Sequence, residues 1–156
     1  QSRQAWMAEA VENLKRDVDR SDKCKAILCL ETHDAWCHTD DCVELLDKVN
    51  SPRAMALWDI MITSCSGGEP VAKSAATLGR RIRYTHLKDG KVEGDNKHVL
   101  TLPGQGSVDL LGAVRELKKL GYDGWLTFEW EKRWHEELPE ASVALPLYRD
   151  MFKGVI

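Results

Sequence analysis

Four short apolar segments of the sequence each end in a side chain that can bind a metal ion or move a proton. These side chains are Glu31, Asp59, His86 and Glu129. A single acid at such a position is usually a helix cap or a solvated loop residue, but its repetition at four segments favours a shared site. Two glutamates, an aspartate and a histidine suit one divalent ion such as Mn²⁺, Mg²⁺, Co²⁺ or Zn²⁺, and they lack the thiolates of a closed structural zinc site.

A metal site of this kind has a definite chemistry. An ion with an open coordination position polarises a carbonyl or hydroxyl group of a bound substrate. Two carboxylates on opposite sides of that substrate can then exchange protons with the carbon next to the carbonyl. The sequence therefore predicts metal-assisted proton transfer, provided that the fold brings the ends of the four segments together.

The four segments are predicted to be strands of a parallel sheet, because they are short, almost continuously apolar and separated by helical patterns. The predicted strands are Lys25–Glu31, Arg53–Asp59, Arg81–His86 and Trp125–Glu129. Barrels and open α/β sheets place their chemistry at the carboxyl ends of such strands. Alternation along each strand puts further residues on the face that carries the four side chains, namely Cys29, Leu57, Tyr84 and Thr127.

About five helices are predicted around these strands from apolar residues at helical spacing. They comprise residues 2–20, a segment capped by Thr39 that ends at Val49, Val71–Leu78, Asp109–Leu120 and Ala141–Phe152. The first helix lies in a region, residues 1–22, that precedes the first strand. It has no convincing N-cap, so an upstream segment is expected to have been removed. The stretch from Leu87 through Gly106 is predicted to be a long polar loop.

Composition limits the classes of protein that fit. A chain of 156 residues with 43% apolar and 30% charged residues is typical of one soluble globular domain. Its net charge of −3, with acids and bases mixed along the chain, argues against a nucleic-acid partner. There is no apolar run long enough for a membrane span and no signal peptide at the start. The five cysteines have no disulfide-framework spacing, so reduced thiols and a cytoplasmic location are expected.

Two other motifs have simpler interpretations than the functional ones they resemble. Cys37, His38 and Cys42, with His33 and Asp41 nearby, do not match any standard zinc spacing, so free thiols and a helix start are favoured. The glycines of a Gly-x-Gly motif at 104–106 resemble part of a phosphate-binding loop. Because no predicted strand ends just before it, an ordinary flexible loop between a strand and a helix is favoured.

An ordered set of motifs along the chain resembles the sugar phosphate isomerase/epimerase family, the xylose-isomerase-like TIM barrel group. This group also contains ketose 3-epimerases, hydroxypyruvate isomerase, inosose dehydratase and endonuclease IV. The resemblance extends from about residue 10 to residue 150. The motifs are Glu31-Thr32-His33-Asp34, Trp58-Asp59, Gly68-Glu69-Pro70, His86-Leu87-Lys88-Asp89, Leu102-Pro103-Gly104-Gln105-Gly106, Gly121-Tyr122-Asp123-Gly124 and Phe128-Glu129-Trp130-Glu131-Lys132.

The resemblance implies that residues 1–156 form a single α/β domain, the C-terminal half of an eight-stranded TIM barrel. The family's metal ligands at the ends of strands five to eight correspond to Glu31, Asp59, His86 and Glu129. The two glutamates also serve as the acid/base pair in the epimerase branch. The implied activity is therefore that of a metal-dependent sugar or sugar-phosphate isomerase or epimerase, with one divalent ion as cofactor.

The resemblance also implies residues around the substrate. His33, Lys88 and Glu131 are candidates for binding substrate hydroxyl groups or for supporting the ligands, and Trp130 for packing against a sugar face. Relatives usually carry a histidine two or three positions after the strand-six aspartate. Here Met61 and Ile62 occupy those positions, so metal binding is preserved while one substrate contact is lost.

The sequence leaves two further interpretations open. One is a non-catalytic half-barrel, whose exposed sheet edges predict pairing with an N-terminal half-barrel or with a second copy of itself. The other alternative is a metal-dependent phosphodiesterase of the endonuclease IV type. The acidic balance of the chain and the lack of additional histidine and aspartate ligands for a three-metal site argue against it.

Overall fold

A parallel four-stranded sheet forms the centre of the protein in the computed structural model, which describes residues 2–94 and 97–155. The strands of this part of the chain are β1 (Leu28–Glu31), β2 (Ala54–Asp59), β3 (Ile82–Leu87), β4 (Asp89–Glu93), β5 (Lys97–Thr101) and β6 (Leu126–Phe128). Strands β1, β2, β3 and β6 pair in that order, all parallel. The predicted α/β fold is confirmed. Residues 1, 95, 96 and 156, which the predicted domain includes, lie outside the described residues.

Six helices lie in the described part of the chain. They are α1 (Arg3–Ser21), α2 (Thr39–Val49), α3 (Ile60–Cys65), α4 (Val71–Leu78), α5 (Leu110–Lys119) and α6 (Ala141–Phe152). The side chain of Ser2 accepts the Ala5 N–H at 3.2 Å, so the expectation that α1 has no convincing N-cap was wrong. None of the described helices combines the length and apolar character that a membrane crossing requires.

The helices cover one face of the sheet. In β2, the side chains of Ala54, Ala56 and Trp58 are buried, whereas Met55 and Leu57 on the other face are only half-buried. Trp58 is fully buried, and its indole N–H donates to the Thr63 hydroxyl at 3.0 Å. The predicted alternation is therefore present: the apolar core lies between the helices and one face, and the face that carries the metal-type side chains is more open.

The stretch predicted to be a long loop after β3 contains the antiparallel hairpin β4–β5, so that prediction was wrong. The hairpin strands are short and largely polar, and Lys91 and Glu93 are exposed. Such strands lack the apolar run that marks a buried strand. The hairpin packs against α3, because a Cβ atom on Gly90 would lie 2.6 Å from the Met61 sulfur.

Helix α3 was also missed by the sequence patterns. It has only six residues and begins directly after β2, without a polar linker. The carboxylate of Asp59 caps it, accepting the Ile62 N–H at 3.0 Å. The end of a strand and the start of a helix therefore coincide at a predicted metal ligand.

The start of α2 differs from the prediction that Thr39 is its N-cap. Thr39 is the first residue of the helix. Its N–H and its hydroxyl donate to the buried carboxylate of Glu69, at 3.2 Å and 2.7 Å. Glu69 precedes α4, so one carboxylate joins the starts of two helices, where the helix dipoles favour negative charge.

Candidate metal centre

The four predicted ligands converge at the carboxyl end of the sheet. Glu31 ends β1, Asp59 ends β2, His86 is the penultimate residue of β3, and Glu129 directly follows β6. Each offers one ligand atom, and these atoms lie within 4.8 Å of one another. In residues 2–94 and 97–155 this is the only group of three or more such side chains that could hold a metal ion.

Strand register explains this convergence. Asp59 pairs with His86 across β2 and β3, and His86 pairs with Thr127 across β3 and β6. The Glu129 N–H donates to the Leu87 carbonyl at 3.2 Å, which extends the pairing one residue past β6. Because parallel strands in register end at the same edge, their last inward side chains meet there.

His86 lies between the two glutamates. Its Nδ1 atom is 2.9 Å from Glu31 Oε1 and 3.2 Å from Glu129 Oε2. Burial alone would lower the pKa of His86, but its hydrogen bonds with Glu129 and Glu31 outweigh burial and raise the pKa to about 9. The same contacts lower the pKa of Glu31, and together with Lys88 they lower that of Glu129 to about 2. Both glutamates are therefore carboxylates at neutral pH.

Asp59 is fully buried and uses its two oxygens differently. Oδ1 caps α3, while the Asp59 N–H donates to the Thr32 hydroxyl at 2.8 Å. Oδ2 lies 2.7 Å from Lys88 Nζ, yet it accepts no well-directed hydrogen bond from any described residue. Burial raises the pKa of Asp59, and the charge of Lys88 opposes that rise. One oxygen of this buried carboxylate is thus held by an ion pair with Lys88 and not by a well-directed hydrogen bond.

Lys88 is the fully buried cation of the site. Its ammonium group contacts Asp59 at 2.7 Å, Glu131 at 2.6 Å and also Glu129. Burial by itself would lower the pKa of Lys88, but Asp59 and the two glutamates raise it above its usual value. An unpaired buried ammonium group costs several kcal/mol, so these carboxylates are what make its position stable.

The other predicted site residues differ in their exposure to solvent and in their contacts. His33 is partly exposed, and its Nδ1 lies 3.2 Å from Asp34 Oδ1. Glu131 joins Lys88 to His135, whose Nε2 is 3.6 Å from Glu131 Oε2. Trp130 is half-buried against Phe128, with ring centroids 5.6 Å apart. The structure thus connects Lys88 directly to two ligands and Glu131 to them through Lys88, whereas the described contacts of His33 and Trp130 are with Asp34 and Phe128.

Met61 and Ile62 occupy the positions where a histidine was expected from the resemblance. Both are buried in a small apolar cluster with Cys65, Leu100 and Leu138. Helix α3 and the hairpin therefore meet through apolar packing, and neither residue offers a ligand or a hydrogen bond to a substrate.

Asp89 was not singled out, although it fixes the glycine-rich loop. It is buried, and its Oδ2 atom accepts the N–H groups of Gly104 and Gly106, at 2.8 Å and 3.0 Å. A Cβ atom on Gly106 would lie 2.1 Å from Asp89 Oδ1, so glycine is required there. The signal was present in the motif that follows β3, where Asp89 comes directly after Lys88.

The donor set fits a divalent ion with open coordination positions. Three carboxylates and one imidazole nitrogen suit Mn²⁺, Mg²⁺, Co²⁺ or Zn²⁺. The Oδ2 atom of Asp59, which already pairs with a cation, and the shared position of His86 Nδ1 support this fit. The two glutamates both contact the Nδ1 atom of His86.

The sequence pattern of the family described as "Xylose isomerase-like TIM barrel" matches residues 1–149. The chain belongs to this family. Among curated proteins, the xylose isomerase-like chain is 36% identical to the rhizopine catabolism protein MocC of Rhizobium meliloti, over 60% of this chain and 33% of that protein. It is 30% identical to fructoselysine 3-epimerase of Escherichia coli O157:H7, over 60% of this chain and 32% of the epimerase.

A solved structure supports the same fold. The xylose isomerase domain protein from Planctomyces limnophilus superimposes with a TM-score of 0.75 at 21% identity, over 94% of this chain and 52% of that one. The xylose isomerase-like chain therefore spans about half of this structure and about a third of the two curated relatives.

Proposed function

We propose that this chain contributes the metal-binding half of a metal-dependent sugar or sugar-phosphate isomerase or epimerase. The supporting observation is the convergence of Glu31, Asp59, His86 and Glu129, with ligand atoms within 4.8 Å of one another. The likeness to a protein named as a 3-epimerase favours the same class of reaction. A single group of four ligands suits one ion, which favours this reaction over a multi-metal phosphodiesterase.

In the proposed mechanism, Asp59 and His86 would hold the ion, and Glu31 and Glu129 would hold it and also move protons. When bound, the ion would polarise the carbonyl group of the sugar. One glutamate removes the proton from the neighbouring carbon and releases it to solvent, and the other glutamate takes up a proton from solvent and returns it to that carbon. Both carboxylates are ionised near neutral pH because their pKa values are lowered, so either can act first as the base.

The residues around the ligands are assigned supporting roles. His33, which is partly exposed, is proposed to bind a substrate hydroxyl group. Trp130 is proposed to form apolar support at the side of the sugar. The full burial of Lys88 favours support of the ligands over contact with the substrate, and Glu131, which pairs with Lys88 at 2.6 Å, shares that role.

We further propose that another polypeptide segment completes the site. Strands β1 and β6 each have one side unpaired in the described part of the chain. A groove of about 560 Å³ lies on the open sheet face beside Ile27, Leu57 and Tyr84, and Trp125 at its margin is 78% exposed. An N-terminal half-barrel, or a second copy of this chain, would cover these edges. Light scattering is expected to show association, whereas a stable monomer would contradict this proposal.

We propose a cytoplasmic location and a small sugar as the substrate. All five cysteines are free thiols, which favours the reducing cytoplasm. The net charge of −3 favours a small sugar substrate over nucleic acid.

Deuterium exchange tests the proposed reaction. The chain is loaded with Mn²⁺ and incubated in D₂O with a panel of ketoses, and NMR follows deuterium at the carbon next to the carbonyl. We expect exchange that Glu31→Gln and Glu129→Gln abolish. Glu69→Gln is the matched control, because it changes a buried carboxylate outside the ligand set.

Two outcomes separate the candidate functions. Exchange that needs both glutamates supports the enzyme. A metal-loaded chain that catalyses no exchange with any ketose would overturn catalysis by this chain, and it would favour a non-catalytic half-barrel that acts with a partner.

A further inference from the structure

Lys88 shares two of its three carboxylate partners with the candidate metal centre. Asp59 and Glu129 belong to the ligand set, and Lys88 contacts both. Its third partner, Glu131, lies outside that set at 2.6 Å. The buried ammonium group is therefore placed among the same oxygens that a divalent ion would need.

Burial restricts what Lys88 can do. Its side chain has no exposed surface, so it does not contact a substrate in the open part of the site. Four carboxylates, those of Glu31, Asp59, Glu129 and Glu131, lie close together, and Lys88 contacts three of them. Lys88 therefore neutralises part of this negative charge when no ion is bound.

We propose that Lys88 is a resident counter-cation that competes with the divalent ion for Asp59 and Glu129, with Glu131 as its alternative partner. This inference rests on the proposed function, because it assumes that the four ligands bind an ion. Lys88 is thus a positioning residue that sets the metal affinity of the site.

Charge supplies the physical reason. An ammonium group and a divalent ion that share the same carboxylates repel each other, and this repulsion is stronger inside a protein than in water. The competition is most direct at the Oδ2 atom of Asp59, which forms an ion pair with Lys88 Nζ at 2.7 Å. Glu131 can keep the ammonium group paired while the ion takes the other oxygens.

Metal titration of the 156-residue chain tests the proposal. Mn²⁺ alone is titrated calorimetrically into the wild type, Lys88→Met and Lys73→Met. Lys73 is the matched control, because it pairs with the buried Glu69 at 2.9 Å, away from the ligand set. We expect Lys88→Met to bind Mn²⁺ roughly tenfold more tightly than the wild type, and Lys73→Met to bind it equally well.

Glu131→Gln gives a second test that does not depend on the folding of Lys88→Met. Without the carboxylate of Glu131, the Lys88 ammonium group can pair only with Asp59 and Glu129 among its three partners. It then competes more strongly with the ion, so Mn²⁺ affinity is expected to fall severalfold. Opposite effects of the two variants support competition, since a merely structural role would not make either variant bind more tightly.

Three results would overturn the proposal. One is unchanged Mn²⁺ affinity in Lys88→Met. Another is a loss of about 10- to 100-fold, the usual effect of removing a group that supports metal ligands. The third is unchanged affinity in Glu131→Gln. These differ from failure of the proposed function, in which neither the wild type nor any variant binds Mn²⁺.

Discussion

Glu69 and Asp59 are both buried carboxylates next to a lysine, but their oxygens are used differently. Glu69 accepts hydrogen bonds from the N–H and hydroxyl of Thr39, from Ser74 and from Lys73, at distances of 2.7–3.2 Å. Asp59 has an oxygen that accepts no well-directed hydrogen bond from the described residues. A carboxylate whose oxygens accept several hydrogen bonds stabilises the fold, whereas an oxygen held by an ion pair with Lys88 can exchange that cation for a metal ion.

Position in the fold explains the difference. Glu69 lies where α2 and α4 begin, so backbone and hydroxyl donors surround it. Asp59 lies at the end of a strand, where Glu31, His86 and Glu129 also converge. Helix starts provide donors, and the ends of neighbouring parallel strands bring acceptors together.

The largest expected effect is on metal affinity. Glu129→Gln removes a charged ligand from the centre, so Mn²⁺ affinity should fall by about 100-fold or more. Glu69→Gln should leave that affinity unchanged, because Glu69 is not in the ligand set. Isothermal titration calorimetry measures both, and equal losses in the two variants would remove the distinction between the carboxylates.

For the free energy of unfolding, a change at Glu69 should have a larger effect than a change at a metal ligand. In EDTA, Glu69→Ala leaves the Thr39 and Ser74 donors without their partner and should lower the free energy of unfolding by about 3 kcal/mol. Glu31→Ala removes the carboxylate that lies 2.9 Å from His86 Nδ1 but leaves Glu129 as a partner of that nitrogen, so it should destabilise the metal-free protein by less than Glu69→Ala. Urea unfolding measures both changes, and a larger loss in Glu31→Ala would contradict the assignment.

The stability of the metal-free protein should depend on pH through the residues of the metal centre. The pKa of His86 is raised from 6.5 to about 9, so its contribution is complete below pH 6.5 and is lost as pH rises through 9. The pKa of Glu129 is lowered from 4.5 to about 2, so its contribution is lost only as pH falls from 4.5 towards 2. Unfolding in EDTA between pH 6 and pH 10 should show an alkaline loss of stability that His86→Asn reduces. An unchanged alkaline slope in that variant would contradict the shared hydrogen bonds of His86.

The smallest expected effect is that of Thr39→Val. It removes the hydroxyl that donates to Glu69 at 2.7 Å and keeps the backbone N–H that donates at 3.2 Å. The free energy of unfolding should fall by about 1–2 kcal/mol in urea, with no change in Mn²⁺ affinity. A change in metal affinity would show that the two clusters are coupled.

Most of the sheet was predictable, because buried parallel strands are short apolar runs that alternate with helices. Because side chains alternate between the two faces of a strand, the sequence also predicted that Leu57 and Asp59 share one face. Helix α3 and the hairpin β4–β5 were not predictable from these patterns. Helix α3 follows β2 without a polar break, and the hairpin strands are short and largely polar.

The side-chain contacts in the metal centre were harder to predict than the identity of the residues that form it. Residue type and strand position indicated the four ligands, and Lys88 was a candidate for their support. Its complete burial among Asp59, Glu129 and Glu131 depends on how the strand ends and the segment after β6 pack in three dimensions. Likewise, Thr39 had the residue type of an N-cap, but Glu69, thirty residues away in sequence, performs that role.

A crystal structure of the Mn²⁺-soaked protein, with anomalous scattering recorded at the manganese edge, tests whether the four side chains bind a metal ion. We expect one anomalous peak bound by Glu31, Asp59, His86 and Glu129, with Asp59 contributing its Oδ2 atom. The absence of a peak between these side chains, in crystals soaked at a saturating Mn²⁺ concentration, would contradict the proposed metal centre.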